Sequence, residues 1–336
     1  MLSNEAQFPF IDVTANGLPV LGVVDLEITN DSFMGADRYR LTAALDVSGY
    51  NIWSSNAIDI QIGVGLNGGV KTFIVGPVDT VEVDVGRSLL HVEGRDLTAR
   101  FIEARTQETF QNQTASEIAI ELASRRGLAA NITSTTLLVG RDFGGDHSGV
   151  TLDQHSSVTT EWDLLVKLAV GEGFDVWVNG GSLNFGPPQA SAMPLVLNPS
   201  QCVSLSLHRT LALCGRLQVD VKSWDCRAQA GVSGLATAGA TGDISRNYVV
   251  IQPNLTATAA TRVAQRVLSQ MTQNARTIYV EMPGDITTEP RQTLVLADTG
   301  TDFDGTYVIT SVERRLSFER GFEQTLQARI PRWITS

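Results

Sequence analysis

The stretch Glu161-Trp-Asp-Leu-Leu-Val-Lys-Leu-Ala-Val-Gly-Glu-Gly-Phe-Asp-Val-Trp-Val-Asn-Gly-Gly-Ser-Leu-Asn-Phe-Gly-Pro-Pro188 sets two carboxylates beside a tryptophan and then runs through a glycine pair into an alternating apolar segment. Glu161 and Asp163 are either an acid/base pair of a sugar-cutting site or the first turn of a scaffold helix. A glycosidase pair needs two carboxyls held across a cleft at a defined separation. Positions i and i+2 of a helix start point apart instead. Thr160 stands three residues before Asp163, the spacing of a capping box, so a cap accounts for the aspartate without any substrate. Trp162, Leu165, Val166 and Ala169 then make a buried helical face, and Gly171 and Gly173 end it. Phe174, Val176 and Val178 alternate as a strand, Asn179 to Ser182 turns, and Leu183 and Phe185 return before Pro187-Pro188 stops pairing.

The same grammar extends upstream. Thr114-Ala-Ser-Glu117 reads as another capping box, with Ala115, Ile118, Ala119 and Leu122 on one face. Arg125 and Arg126 complement the negative helix end, and Gly127 takes the left-handed stop. Residues 113–200 are therefore expected to form a small α/β module.

Antiparallel strands are expected on either side. Val24, Leu26 and Ile28 alternate with Asp25, Glu27 and Thr29; Tyr39, Leu41, Ala43 and Leu45 alternate with Arg38, Arg40 and Thr42. Ile58, Ile60, Ile62 and Val64 repeat the pattern, as do Val81, Val83 and Val85. Such alternation puts one face on a core and the other toward water or a neighbour. Beyond Pro199, strands are expected around 203–207 and 217–221, a helix at about 254–274, and four closing strands. The small, glycine-rich span 228–243 reads as a flexible loop. Phe73 to Val92 and Phe303 to Ile330 each lead a strand through a polar turn into a return strand, a weak internal repeat. The expected organisation is a first β domain over 1–112, the α/β insert over 113–200, and a second β domain over 201–336, which makes the fold class a β-rich α+β.

Composition bounds the function. A chain of 336 residues is long for one domain. A net charge of −11, from 25 basic and 36 acidic residues, argues against a nucleic-acid clamp, which needs a Lys/Arg surplus. No run approaches the roughly 18 apolar residues of a membrane span, and the N-terminus lacks the pattern of a secretory signal. Cys202, Cys214 and Cys226 do not suit a disulfide framework. Asp146-His147 and Asp153-His155 form the densest potential metal cluster, but neither a two-histidine helix spacing nor a CxxC pair is present. GxSxG, GxxxxGK[ST], HExxH and a strand-to-helix GxGxxG are all missing. The expected catalytic, cofactor-binding and metal residues are accordingly none.

Several stretches, in order along most of the chain, resemble the late control D family of phages, the baseplate hub of contractile tails, related to the N-terminal part of type VI secretion spike proteins. They are Phe73-Ile-Val-Gly-Pro-Val-Asp79, Gly94-Arg-Asp-Leu97, the helix Thr114 to Leu128, the helix and hairpin Thr160 to Phe185, Arg216 to Asp225, Met282-Pro-Gly-Asp285 and Phe303 to Glu313. Arg314 and Arg315 depart from it, where relatives often carry a histidine. The resemblance implies two tube-like β-barrels per subunit and a homotrimeric, pseudo-sixfold ring that joins a hexameric tail tube to a trimeric central spike. Implied partners are the spike, the tube or tube-initiator protein, other baseplate proteins and the tape measure protein. DNA would pass through the lumen without specific binding, and no membrane insertion is implied. Glu82 and Asp84 then either line that lumen, where repulsion lets DNA slide, or are simply solvated strand faces. The place of action would be the virion tail baseplate, after assembly in the host cytoplasm. A peptidoglycan-degrading hub enzyme and a glycan-binding β-protein are the alternatives.

Overall fold

The computed structural model describes residues 9–45, 50–66, 69–105, 108–139, 141–142, 148–151, 160–225, 229–239, 246–253 and 255–332. The fold is β-rich α+β, as expected, and mostly antiparallel. The chain divides into two compact units. The first holds residues 1–188, 282–290 and 311–325; the second holds 189–281, 291–310 and 326–336.

In the first unit the chain runs through β1 (Phe10–Ala15), β2 (Leu18–Pro19), β3 (Val23–Asp31), β4 (Arg38–Ala44), α1 (Tyr50–Trp53), β5 (Asp59–Leu66), β6 (Gly69–Asp84) and β7 (Leu89–Arg95). There follow α2 (Ala99–Ile102), β8 (Thr109–Gln111), α3 (Ala115–Arg125), β9 (Ala129–Ile132), β10 (Arg141–Asp142), β11 (Ser148–Thr151), α4 (Glu161–Glu172), β12 (Asp175–Asn179) and β13 (Ser182–Gly186). The second unit adds β14 (Leu195–Leu197), β15 (Ser204–Arg209), β16 (Leu217–Asp225), β17 (Ala230–Ala238), β18 (Arg246–Ile251), α5 (Ala257–Thr272), β19 (Arg276–Pro283), β20 (Thr293–Leu296), β21 (Gly305–Ser317) and β22 (Gly321–Arg329). The last residues of β21, from Ser311, belong to the first unit.

The first unit's main sheet runs β21-β3-β4-β7-β6-β5-β1-β2. Strand alternation sends Leu26, Ile28, Tyr39, Leu41, Ile60, Ile62, Leu90 and Val92 inward, all nearly fully buried in one cluster. Each such side chain contributes about 1.5–3 kcal/mol when removed from water. One inward position breaks the apolar rule. Arg314, on β21, is only 2% exposed and is the largest fully buried side chain among the described residues. Its NH1 donates to Asn30 Oδ1 at 2.7 Å and its NH2 to the Thr288 carbonyl. The guanidinium lies 4.2 Å from the centroid of the Phe73 ring, a cation–π contact strengthened by the dry surroundings. Burial lowers its pKa to about 10 against the pull of Glu289, Asp285 and Asp37, so the group stays charged at neutral pH. Asn30 hands the network on, donating from Nδ2 to Asp37 Oδ2 at 2.7 Å.

Asp96 is also buried, 6% exposed, and accepts from the Thr98 backbone N–H and hydroxyl. Burial, with Asp37 near by, pushes its pKa well above the usual carboxylate range.

A second core cluster of the first unit gathers α2, β8, α3, α4, β12 and β13 around Phe101, Phe110, Ile118, Trp162, Val176 and Phe185. Both capping boxes are present. Thr114 accepts from Glu117 N while Glu117 accepts from Thr114 N, and Thr160 and Asp163 do the same. Gly127 and Gly173 stop the helices with φ of +71° and +77°. β12 and β13 form the expected hairpin, and β9 joins β13 in parallel. Arg125 and Arg126 do more than complement a helix end. Arg126 grips Glu161 with Nε and NH2, both at 2.7 Å, and Arg125 NH1 lies 3.4 Å from the same carboxylate. Glu161 is fully buried, and its backbone N–H donates to the Ala104 carbonyl at 3.0 Å. The end of α3 and the start of α4 are thus clamped by an ion pair whose carboxylate is buried and whose guanidiniums are half-buried.

In the second unit one sheet runs β15-β19-β22-β21-β20-β14. A smaller sheet has β16 at its centre, antiparallel to β17 and parallel to β18. α5, capped by Thr256, packs on it through Ala260, Val263, Ala264 and Leu268 against Leu217, Val219, Val221 and Ala236. This corrects the reading of 228–243 as a flexible loop. Ala230–Ala238 is a strand with nine paired positions along β16; residues 240–245 lie outside the described ones. Its inward small residues, Gly234 and Ala236, serve packing. A Cβ placed on Gly234 would sit 2.2 Å from the Ala260 carbonyl carbon, so only glycine lets the helix backbone approach this closely.

Three outcomes are expected from these contacts. Glu161→Gln leaves Arg126 partly unpaired beside a buried site and lowers unfolding free energy by about 2–3 kcal/mol in chemical denaturation. Gly234→Ala destabilises by about 1–3 kcal/mol through overpacking against α5, whereas Gly231→Ala, with open space around its Cβ, leaves the denaturation midpoint unchanged. Asp96 binds its proton more tightly folded than unfolded, so its contribution is present below about pH 4 and is lost as pH rises from there toward the raised folded value. Asp96→Asn should therefore raise the melting temperature at pH 7, and the gain should vanish near pH 4.

Candidate interaction face

The polar side of the first unit's sheet is a lattice of charges whose order follows from strand register. One row crosses four strands as Arg315–Glu27–Arg40–Glu93. Cross-strand neighbours in it alternate in sign, which stabilises adjacent strands by a fraction of a kcal/mol per pair. Arg40 Nε binds Glu93 Oε1 at 2.6 Å, and Glu27 Oε2 lies 3.9 Å from Arg40 and 3.8 Å from Arg315. The hydrogen bond and charge of Glu93 raise the Arg40 pKa, and Glu313 does so for Arg315. Arg95 closes the margin with a bidentate pair to Asp79 at 2.6 and 2.7 Å and a bond to Glu103 at 2.6 Å.

The next row reads Glu313–Thr29–Arg38–Arg95. Here alternation fails. Arg38 faces a threonine on one side and a second arginine on the other. Between the two rows lies a hollow of about 550 Å³, lined by Glu27, Thr29, Arg38, Arg40, Asp79 and Thr80 among others. A second hollow of about 470 Å³ opens beside Arg315, Arg320 and Glu323, next to Phe318, which is 85% exposed at the β21–β22 turn. Exposed ion pairs such as these add little stability, about 0–1 kcal/mol each. They are suited to choosing and orienting a partner.

Residues singled out from sequence fall elsewhere. Glu161 is consumed by Arg126, and Asp163 by its cap on Thr160, so the two make no acid/base pair. Asp84 accepts from the Arg87 backbone N–H at 2.9 Å and shapes the β6–β7 turn, while Glu82 is exposed opposite His91. Cys202 and Cys214 are free thiols. The Asp146-His147 and Asp153-His155 cluster, like Cys226, lies outside the described residues. Among the described residues no group of three or more His, Cys, Asp or Glu side chains is placed to hold a metal ion, and no helix is long and apolar enough to cross a membrane. The alternation Asp25, Glu27, Thr29 against Arg38, Arg40, Thr42 does signal an outward face in the sequence. Its alignment with Arg315, 288 positions on, requires the register and was missed.

The fold is shared with known proteins. A 43 kDa tail protein of prophage MuSo2 from Shewanella oneidensis superposes with a TM-score of 0.74 at 17% identity, over 97% of this chain and 99% of that one. A tail protein from Neisseria meningitidis MC58 gives 0.72 at 15% identity, over 96% of each chain. The E. coli c3393 protein, a component of the type VI secretion system, gives 0.63 at 13% identity, over 95% of this chain and 76% of that one. At these identities the likeness is one of fold. No curated protein matches in sequence. The family expected from the sequence, late control D, is not the one whose model matches. The motifs that suggested it are loose, and their order is the order of strands and helices in a fold held in common with tail proteins. The match is to the Alg8 N-terminal domain, over residues 45–317, so the chain belongs to the family of Alg8 N-terminal domains.

Proposed function

We propose that this protein is a structural component of a phage tail or a related injection apparatus, and that it acts by assembly rather than by catalysis. The observation that carries the reading is the end-to-end likeness of fold to the MuSo2 tail protein, which covers nearly all of both chains. In this proposal the chain is a baseplate hub. Two tube-like β-barrel domains flank the α/β insert of residues 113–200, and three subunits close a pseudo-sixfold ring. The ring joins a hexameric tube to a trimeric central spike and leaves a channel for DNA. The net charge of −11 fits a channel that DNA must traverse without sticking. Tube-initiator, baseplate and tape measure proteins are the further partners, and the virion is the place of action. The burial of Glu161 in its ion pair weighs against the peptidoglycan-cutting alternative, because a general acid must reach its substrate.

Light scattering on the purified chain, alone and mixed with its spike protein, tests the proposal. A trimer alone, or a monomer that becomes a trimer on adding the spike, is the expected result. A monomer indifferent to spike and tube proteins would overturn it.

A further inference from the structure

Asparagine precedes glycine three times in the chain, at Asn16-Gly17, Asn67-Gly68 and Asn179-Gly180. Asn67-Gly68 lies outside the described residues. The other two pairs stand in turns, and the structure treats their side chains in opposite ways. Asn16 is tied on both polar atoms: Nδ2 donates to the Ala57 carbonyl at 3.4 Å, and Oδ1 accepts from the Asp59 N–H at 2.9 Å. Its amide cannot turn toward Gly17 without breaking both bonds. Asn179 sits at the tip of the β12–β13 hairpin, opposite Ser182. Its side chain is exposed and makes no hydrogen bond among the described residues. Gly180 is exposed too, takes φ +52°, and donates its N–H to no group among the described residues. A Cβ placed on it would meet nothing within 4 Å, so the space beside its nitrogen is open.

We infer that Asn179 is a site of spontaneous covalent modification, at which the chain converts its own side-chain amide to a carboxylate. A base removes the Gly180 amide proton, and the nitrogen attacks Cγ of Asn179. The new C–N bond closes a five-membered imide as the Cγ–Nδ2 bond breaks, and Nδ2 takes up a proton and leaves as ammonia. Water then opens the ring. Cleavage between the nitrogen and Cγ leaves aspartate; cleavage between the nitrogen and the main-chain carbonyl carbon leaves isoaspartate, with the chain rerouted through the side chain. One water is consumed, one ammonia is released, and no oxidant or reductant is needed. Glycine suits the attacking position, because it lacks a Cβ to shield the nitrogen and its backbone turns freely. Asn179 must leave its extended conformation to react, and the last pair of a hairpin opens at low cost. The inner pairs Val178–Leu183 and Val176–Phe185 are buried and keep the register when it does. Either product adds one negative charge to an exposed tip, a slow and irreversible mark of the molecule's age. The inference stands apart from the proposed role in a tail.

The test uses the full chain, folded, in mildly alkaline buffer made with heavy-oxygen water, so that each conversion marks its residue with a heavy oxygen. Digests taken over several weeks are read by tandem mass spectrometry, and N179Q confirms the assignment. Label is expected at position 179 about tenfold or more faster than at position 16, whose two hydrogen bonds must break first. In urea, where both asparagines are freed, the two positions should convert at equal rates. Equal rates in the folded chain, or label at position 16 ahead of 179, would overturn the inference. So would a folded chain that leaves position 179 unlabelled while the unfolded chain labels it.

Discussion

A single buried guanidinium ties together parts of the chain that synthesis places far apart. Arg314 cannot be left dry and unpaired, since an isolated buried charge costs many kcal/mol. Its two terminal nitrogens are met by the side chain of Asn30 and the carbonyl of Thr288 and its plane by the face of Phe73, while its Nε is buried without a hydrogen-bond partner. Those groups come from β3, from the segment after β19, and from β6. An apolar residue in its place would fill the volume but would accept many neighbours. The guanidinium demands an oxygen at each of two fixed directions. Register along β21 follows from that demand: a slip by one position would turn Arg314 to water and drive Glu313 or Arg315 inward.

The outward lattice depends on the same register. Arg315 meets Glu27 only because Arg314 has been drawn through to the other side of the strand. The inner polar network and the outer row of alternating charges are two faces of one alignment. This gives the face its order without asking it to supply much stability, and leaves its ions available for selecting what binds.

Local features were legible in the sequence where their causes are local. The caps at Thr114 and Thr160, the glycine stops at 127 and 173, the 175–186 hairpin and the α5 helix all follow from spacings of a few residues. The grip of Arg126 on Glu161 spans 35 positions and has no periodic signature. The 230–238 strand was misread because smallness has two physical meanings, freedom in a loop and closeness in a packed interface, and only the position of Ala260 over Gly234 decides between them. Arg314 sits at an inward phase of β21, which the alternation Val312, Arg314, Leu316 does show; its charge concealed it. The outward face was visible strand by strand, but not the rows, because rows require knowing which strands adjoin.

The composite make-up of the first unit has a consequence for biosynthesis. Residues 282–290 and 311–325 belong to it along with the first 188. A ribosome releases the N-terminal strands long before it makes Thr288 or Arg314. At about 5–20 residues per second, β3 and Asn30 wait through the production of more than half the chain before their last partners emerge. During that interval the edge of β3 that β21 will cover is exposed, open to pairing with the wrong strand. The cluster around α2, α3 and α4, whose residues are all made by Phe185, is free to pack in the meantime. Translation therefore builds the middle of this protein first and closes its beginning last, which makes the nascent chain's guardianship by chaperones a matter of the C-terminal hairpin's arrival.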